Sequence, residues 1–143
     1  MPKIAITGLT GFVGTNLKKY LSSYEIEQLS VRYVPNQKIE INADVIIHLA
    51  GKAHDLKKVS KPTDYYEANY ELTKQLFDAF LQSSATVFIF MSTVKAVADK
   101  VDGVLTEDVV ADPKTHYGIA KQQAEKYILE KELPQRKRVY ILR

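Results

Sequence analysis

A tyrosine and a lysine four residues apart, Tyr117 and Lys121, are the pair in this sequence best suited to acid–base chemistry. Residues four apart on a helix share a face, so the lysine ammonium is expected beside the phenol. A cation at that distance favours the phenolate and lowers the tyrosine pKa from about 10 towards neutrality. The pair is therefore predicted to act as a general acid or base. The hydroxyl residues Ser92 and Thr93 end an apolar run and are expected at the same site.

Three of the six glycines lie within one seven-residue window near the start of the chain. They follow an apolar run of strand length and precede a helical pattern. A pyrophosphate has to approach backbone N–H groups at the positive end of a helix, and only residues without side chains leave room for it. We therefore predict a dinucleotide-binding turn. The residues expected to contact the cofactor there are Gly8, Thr10, Gly11, Phe12, Val13 and Gly14.

The elements that must position these groups alternate along the chain between strand-length apolar runs and amphipathic helical stretches. The predicted strands are residues 3–7, 25–31, 44–50, 86–92 and 137–142, and the predicted helices are residues 12–21, 64–81 and 114–130. This alternation predicts an α/β fold, a Rossmann-type doubly wound parallel sheet with helices on both faces. Residues 38–41 are predicted to form a stunted additional strand, and residues 99–115 a long functional loop.

Composition sets the class of protein and excludes several others. A chain of 143 residues, 45% hydrophobic and 26% charged, is one soluble domain rather than a disordered chain or a fibre. Zero cysteines and three scattered histidines predict no metal site and no disulfide framework. The net charge of +3 is spread among acidic residues, which gives little support to a nucleic-acid partner. No apolar run reaches the roughly 20 residues that cross a bilayer, so no membrane contact and a cytoplasmic location are expected.

The glycine turn, read as Thr7-Gly8-x-x-Gly11-Phe12-x-Gly14, resembles the glycine motif of the extended short-chain dehydrogenase/reductase family. Residues 44–51 resemble the family's fourth-strand motif, residues 65–69 resemble the opening of its next helix, and residues 92–121 resemble its Ser/Thr, Tyr, Lys triad. The resemblance implies that Thr93 hydrogen-bonds the reacting oxygen, that Tyr117 exchanges the proton, and that Lys121 holds the nicotinamide ribose. The further cofactor contacts that it implies are Leu49, Ala50, Gly51, Asn69, Ser92, Tyr117 and Lys121.

Members of this family bind NAD or NADP and mostly act on nucleotide sugars. The resemblance implies the cofactor-binding and catalytic part of a nucleotide-sugar epimerase of the UDP-hexose 4-epimerase kind. Two alternatives stay open: an NADPH-dependent keto-sugar reductase and a non-catalytic dinucleotide-binding module. Family members continue beyond the position of residue 143, so the chain is expected to be a cofactor domain without its sugar-nucleotide domain, and inactive alone. Helices 64–81 and 114–130 are candidates for a homodimer interface.

The choice between the two cofactors depends on the end of the second strand. An acid is expected there to bind the adenosine ribose hydroxyls. The sequence instead reads Leu29-Ser30-Val31-Arg32-Tyr33, without an acid. A guanidinium offers a fork of donors to phosphate oxygens, so Arg32 favours NADP, and a solvated surface arginine is the alternative. His48 is expected to be a buried core residue, and His54 and His116 are expected in loops.

Overall fold

The computed structural model describes residues 1–53 and 61–143, so His54 lies outside the described residues. One sheet of five parallel strands has the order β2-β1-β3-β4-β5. The strands are β1 (Lys3–Thr7), β2 (Glu25–Gln28), β3 (Val45–His48), β4 (Val87–Met91) and β5 (Arg138–Leu142). The α-helices of the described part are α1 (Phe12–Tyr20), α2 (Pro62–Tyr66), α3 (Leu72–Gln82) and α4 (His116–Leu129).

Two shorter segments complete the frame. A π-helical segment, Glu67–Glu71, joins α2 to α3, so the predicted helix over residues 64–81 is one continuous rod with a local bulge. A 3₁₀ turn, Val94–Ala96, follows β4. His116 is the first residue of α4 rather than a loop residue. π-Helical bulges are frequent at functional sites, and this one lies beside the carboxyl edge of the sheet.

The core lies on both faces of the sheet because side chains alternate along each strand. On one face, Ile46, Phe88 and Phe90 pack against α3 and α4 in a fully buried aromatic cluster. On the other face, residues of β1 and β3 pack against Leu17 and Leu21 from α1 and the residue that follows it. The predicted doubly wound parallel sheet is therefore confirmed. Its order is that of a Rossmann sheet without the outermost third strand.

The prediction of a stunted strand over residues 38–41 is wrong. The chain between β2 and β3 has no regular structure and crosses the face of the sheet that α3 covers. Ile39 and Ile41 pack against the aromatic cluster instead of extending the sheet. Burial of these two side chains outweighs strand pairing, because the crossover is too short to reach the outer side of β2 and return to β3. The sheet therefore ends at β2.

Candidate active site

The glycine turn lies where β1 ends, between the carboxyl edges of β2 and β3. Gly8 has a φ of +68° and a Cβ there would meet the Ala50 nitrogen at 2.8 Å, so only glycine fits. A Cβ on Gly14 would meet the Gly8 oxygen at 2.5 Å, which explains why α1 can pack so close to the turn. The Gly11 N-cap offers no side chain to the first N–H groups of α1. Those donors are open to an anion.

A chain of buried side chains supports the floor of the crevice beside this turn. The Thr7 Oγ1 accepts hydrogen bonds from the Leu49 and Ala50 backbone nitrogens, both at 3.1 Å. Its own proton therefore goes to His48 Nδ1 at 2.7 Å, and His48 Nε2–H donates to Thr73 Oγ1 at 2.9 Å. His48 is fully buried, and burial lowers its pKa to about 3. The prediction that His48 is a satisfied core residue is confirmed.

The predicted cofactor contacts after β3 fall at the same edge. Ala50 and Gly51 line a cavity of about 780 Å³ together with Arg32. Leu49 packs against the apolar cluster on the α1 face, and its nitrogen bonds Thr7 as described. The Asn69 amide is occupied with the backbone: its Oδ1 accepts from Lys52 N at 3.0 Å, and its Nδ2 donates to the Lys52 carbonyl at 2.9 Å. Asn69 therefore holds the loop that follows β3, a positioning contact that its helical location alone did not predict.

Arg32 stands between two cavities. It lines the 780 Å³ cavity and a second cavity of about 600 Å³, which also contains Gly8, Thr10 and Ser30. Among the described residues, no acidic side chain lines the second cavity, whereas Asp64 and Glu67 line the first. The structure thus places the predicted arginine beside the glycine turn, at the point where an adenosine-binding acid is missing.

Thr93 and Tyr117 meet at the end of β4. The Thr93 Oγ1 accepts from Lys95 N at 3.2 Å, and the Thr93 side chain acts to lower the pKa of the adjacent Tyr117 phenol. The approach depends on Gly118, where a Cβ would collide with the Lys95 carbonyl. The start of α4 can thus lie against the 3₁₀ turn that follows Thr93. The structure brings together the two residues that the sequence predicted to share a site.

The loop before α4 is fixed by one carboxylate that sequence reasoning missed. Asp99 accepts from Lys114 N at 2.6 Å and from the Thr115 hydroxyl at 3.0 Å. These hydrogen bonds lower the pKa of Asp99. Thr115 also caps α4 by accepting from Gly118 N at 3.1 Å. Asp99 therefore joins the two ends of the long loop and fixes the position at which α4, the helix that carries Tyr117, begins.

The expected effect of Lys121 on the phenol is not found. The pKa of Tyr117 is raised, because its burial outweighs the lowering effect of the Thr93 hydrogen bond. Lys121 is itself buried and donates to the Met91 carbonyl at 2.9 Å, while its Nζ lies 4.7 Å from the centre of the Phe90 ring. Burial lowers the pKa of Lys121 to about 8, and Glu125 acts in the opposite direction. The ammonium is held by the strand end rather than by the phenol.

Glu125 is the second functional group that the sequence reading missed. It is buried and accepts a short hydrogen bond from the Ser92 hydroxyl. Its other partner is Arg143, whose Nη2 donates to Oε2 at 2.6 Å. Ser92, predicted as a cofactor contact, thus turns its hydroxyl towards α4. The spacing of four between Lys121 and Glu125 was the available signal, because it continues the face that carries Tyr117.

Within residues 1–53 and 61–143 there is no group of three His, Cys, Asp or Glu side chains that could hold a metal ion. No helix in the same part of the chain is long and apolar enough to cross a membrane. The groups available for chemistry at this edge include backbone donors, hydroxyls, cations and the carboxylates of Asp64 and Glu67, which line the larger of the two cavities.

The strand order, the glycine turn at the switch point and the polar side chains at the same edge define a nucleotide-binding protein of the doubly wound α/β class. Residues 4–132 match the model of the NAD dependent epimerase/dehydratase family. The chain belongs to this family.

Individual relatives are similar over most of this chain. The UDP-glucose 4-epimerase of Vibrio cholerae is 35% identical over 158 positions, covering 90% of this chain and 47% of that protein. The GDP-6-deoxy-D-mannose reductase of Pseudomonas aeruginosa is 23% identical over 99% of this chain and 51% of its own length. The solved structure of MoeE5 with UDP-glucuronic acid and NAD has a TM-score of 0.78 at 23% identity, covering 97% of this chain and 52% of that one.

The chain spans about half the length of the curated relatives that it matches. The alignment with the Vibrio cholerae protein has 158 positions, more than the 143 residues of this chain. The Vibrio cholerae protein therefore carries segments that this chain lacks. The short crossover between β2 and β3 agrees with such a difference.

Proposed function

We propose that this chain is the cofactor-binding and catalytic part of an NAD(P)-dependent enzyme that acts on nucleotide sugars, with 4-epimerisation of a UDP-hexose as its reaction. The observation that carries the proposal is the juxtaposition at one sheet edge of an open glycine turn with the Thr93–Tyr117 pair. The similarity to a UDP-glucose 4-epimerase supports this choice of substrate class.

The residues present fit a dinucleotide. A Cβ at Gly8 or Gly14 would fill the turn, and the first N–H groups of α1 have no side-chain cap. The two adjoining cavities, of about 780 and 600 Å³, are in the range of small-molecule and cofactor sites. In this proposal the turn holds the pyrophosphate, and the residues after β3 line the path towards Tyr117.

A bound nicotinamide supplies hydride transfer, and the chain's own residues handle the proton and the orientation. In this proposal the Thr93 hydroxyl, which lies beside the phenol, directs the hydroxyl of a substrate lying there. Burial raises the pKa of Tyr117 and keeps it protonated at neutral pH, so it is ready to give a proton. Taking a proton requires a lower pKa, which Lys121 does not supply while its ammonium is held by the Met91 carbonyl.

We further propose that NADP is preferred over NAD. Arg32 lines both cavities, and in the described part of the chain the acids of this region, Asp64 and Glu67, line the larger cavity and not the one beside the glycine turn. An acid at this point binds ribose hydroxyls and repels a 2′-phosphate, whereas a guanidinium binds that phosphate. The same observation favours a second candidate function, an NADPH-dependent keto-sugar reductase, and one of the curated relatives is a nucleotide-sugar reductase.

Isothermal titration of this chain with NADP⁺ and with NAD⁺ tests the cofactor site. Gly11→Val puts a side chain at the turn, where a Cβ meets only the Gly8 oxygen at 3.3 Å, so the fold is expected to survive. We expect both affinities to fall at least about tenfold, with Thr15→Val on exposed α1 as the unchanged control.

Arg32→Ala should lower the affinity for NADP⁺ alone, by about 10- to 100-fold. Failure of the unmutated chain to bind either nucleotide would contradict the proposal.

The catalytic assignment is tested by Tyr117→Phe in the protein that carries this chain. Turnover of a UDP-hexose is expected to fall by about two to four orders of magnitude, because the proton-exchanging group is lost, while cofactor binding persists. Tyr127→Phe is the matched control on the same helix, since that phenol bonds Asp78 at 2.7 Å and lies away from Thr93. Unchanged turnover in Tyr117→Phe would refute the role. An epimerase interconverts the two 4-epimers, whereas a reductase consumes NADPH and does not interconvert them. Measuring both distinguishes the two candidate functions.

A homodimer formed through α3 and α4 and a cytoplasmic location stay part of this proposal. The seam between the two helices carries polar contacts, including Lys74 Nζ over the Tyr127 ring at 5.6 Å and the bond between Tyr127 and Asp78. Sedimentation velocity at micromolar concentration tests the dimer, and a monomer at all concentrations would rule it out.

A further inference from the structure

We infer that two glutamines, Gln37 and Gln75, form a clamp that holds the backbone of Arg32 at the crevice and thereby determines the choice between NADP and NAD. The inference rests on the proposed cofactor site and names two positioning residues for it. Neither glutamine lies in the glycine turn or in the Thr93–Tyr117 pair.

The clamp is a continuous set of hydrogen bonds between the crossover and α3. Gln37 Nε2 donates to the Arg32 carbonyl at 2.7 Å and to Gln75 Oε1 at 2.6 Å. Gln75 Nε2 in turn donates to the Val34 carbonyl at 2.8 Å. Both protons of the Gln37 amide are therefore used, and Gln75 both accepts and donates. The two side chains connect alternate carbonyls of the loop to one position on the helix.

The loop depends on these side chains because its own backbone supplies few hydrogen bonds. Between β2 and β3 the chain has no helix or strand, and a turn at Asn36, with φ +59°, is closed by Gln37 N on Val34 O at 3.3 Å. A loop without a ladder of hydrogen bonds is normally the mobile part of a fold. Gln75 lies next to Leu76, a fully buried residue of α3. Its hydrogen bonds therefore fix the loop to a well-packed helix.

The clamp lies at the part of the crevice where NADP and NAD would be distinguished. Arg32, Val34 and Gln37 all line the cavity that contains Gly8 and Thr10. The Arg32 side chain is exposed, and within the described residues its contact with the clamp is made by its backbone carbonyl. Fixing that backbone in advance reduces the ordering cost of binding a 2′-phosphate. NAD has no group that needs Arg32, so loosening the loop should weaken NADP binding selectively.

Gln75→Leu tests the clamp, because leucine keeps the volume and removes both hydrogen bonds. In isothermal titrations of the 143-residue chain, we expect the NADP⁺ affinity to fall about three- to tenfold and the NAD⁺ affinity to change less than twofold. Gln37→Leu should give the same result, and the double variant should lose no more than either single variant, since the residues act as a unit. Gln82→Leu, two turns further along α3, is the control with wild-type values.

Amide hydrogen exchange of the cofactor-free chain provides a readout that does not depend on binding. Exchange across residues 32–37 should accelerate in Gln75→Leu and Gln37→Leu but not in Gln82→Leu. Unchanged exchange and an unchanged affinity ratio would overturn the clamp. If Arg32→Ala erases the preference while Gln75→Leu keeps it, the clamp fails and the cofactor proposal stands. If Arg32→Ala leaves the ratio unchanged, the proposed NADP preference fails, and with it the clamp's role in cofactor choice.

Discussion

At the scale of single residues, His48 shows how a buried polar side chain can organise a crevice without taking part in chemistry. Its two ring nitrogens join Thr7, which holds the backbone after β3, to Thr73 on α3. The Thr73 hydroxyl passes its own proton to the Asn69 carbonyl at 2.9 Å. The chain of bonds has one direction only, so it requires a neutral imidazole with its proton on Nε2.

We predict that His48 stays neutral from pH 8 to pH 4. Its pKa is lowered from 6.5 to about 3, chiefly by burial and then by the charge of Lys121. The unfolded chain takes up this proton near pH 6.5, so the contribution of His48 to stability is complete above that pH and is lost as pH falls towards 3. Between pH 7 and pH 5 the loss is about 2 kcal/mol.

Nitrogen-15 NMR of the imidazole measures both the tautomer and the titration. The Nε2–H form should persist through the whole range, and titration with a midpoint between pH 5 and pH 7 would refute the assignment. In His48→Asn, the slope of the unfolding free energy between pH 7 and pH 5 should be shallower than in the unmodified chain.

Spacing and strand position were sufficient to predict that Thr93 and Tyr117 share a site, since the carboxyl end of β4 and the first turn of α4 meet there. The direction of the Tyr117 pKa shift was not predictable in this way. It follows from the burial of the phenol, while the Met91 carbonyl and the Phe90 ring hold the Lys121 ammonium. Contacts of this kind are set by the packing of β4 against α4 and leave no pattern in the sequence.

At the scale of elements, Lys137 stabilises the end of α3 from the start of β5. Its buried ammonium donates to the carbonyls of Phe80, Ser83 and Ala85 at 2.7, 2.9 and 2.6 Å. Helix ends leave such carbonyls without partners, and a cation there also complements the helix dipole. One side chain thereby connects the last turn of α3 to the edge of the sheet.

Lys137→Met is predicted to lower the free energy of unfolding by about 1–3 kcal/mol, because methionine fills the space but removes the donor that the Phe80, Ser83 and Ala85 carbonyls share. Urea denaturation gives the value directly. Lys126→Met, on the exposed side of α4, is the control and should change stability little. A Lys137→Met protein as stable as this control would contradict the capping role.

The crossover between β2 and β3 marks the limit of sequence reading at this scale. The strand over residues 38–41 is an expectation from the resemblance to a family that carries a further strand there, whereas Ile39 and Ile41 belong to an extended segment that packs on the aromatic cluster. Only the length of the connection distinguishes the two cases. The strands of the core were predictable because their apolar runs are buried on both faces.

At the scale of the whole molecule, the two faces of the sheet are covered unequally. On the face of α1, the outer half of the sheet carries Ile89 beside Tyr140 and Met91 beside Leu142. Tyr140 is 48% exposed and Leu142 46% exposed. Adjacent exposed apolar side chains on a sheet form a hydrophobic patch that favours association.

The 143-residue chain is therefore predicted to bind a hydrophobic dye such as ANS in its folded state. Replacing Tyr140 and Leu142 by lysine should reduce both the dye fluorescence and any self-association. Val104→Lys is the control, because Val104 is 83% exposed in the loop before α4 and lies outside the sheet. Equal fluorescence in all three proteins would show that this face is not the patch.

A dinucleotide bound between the glycine turn and Tyr117 would be detected by the backbone amide shifts of the chain during titration with NADP⁺. We expect one saturable transition that moves the amides of Gly8, Gly11, Gly14, Arg32, Thr93 and Tyr117 together. Shifts confined to the larger cavity of about 1040 Å³ between the crossover and α3, or no saturable shift at all, would contradict it.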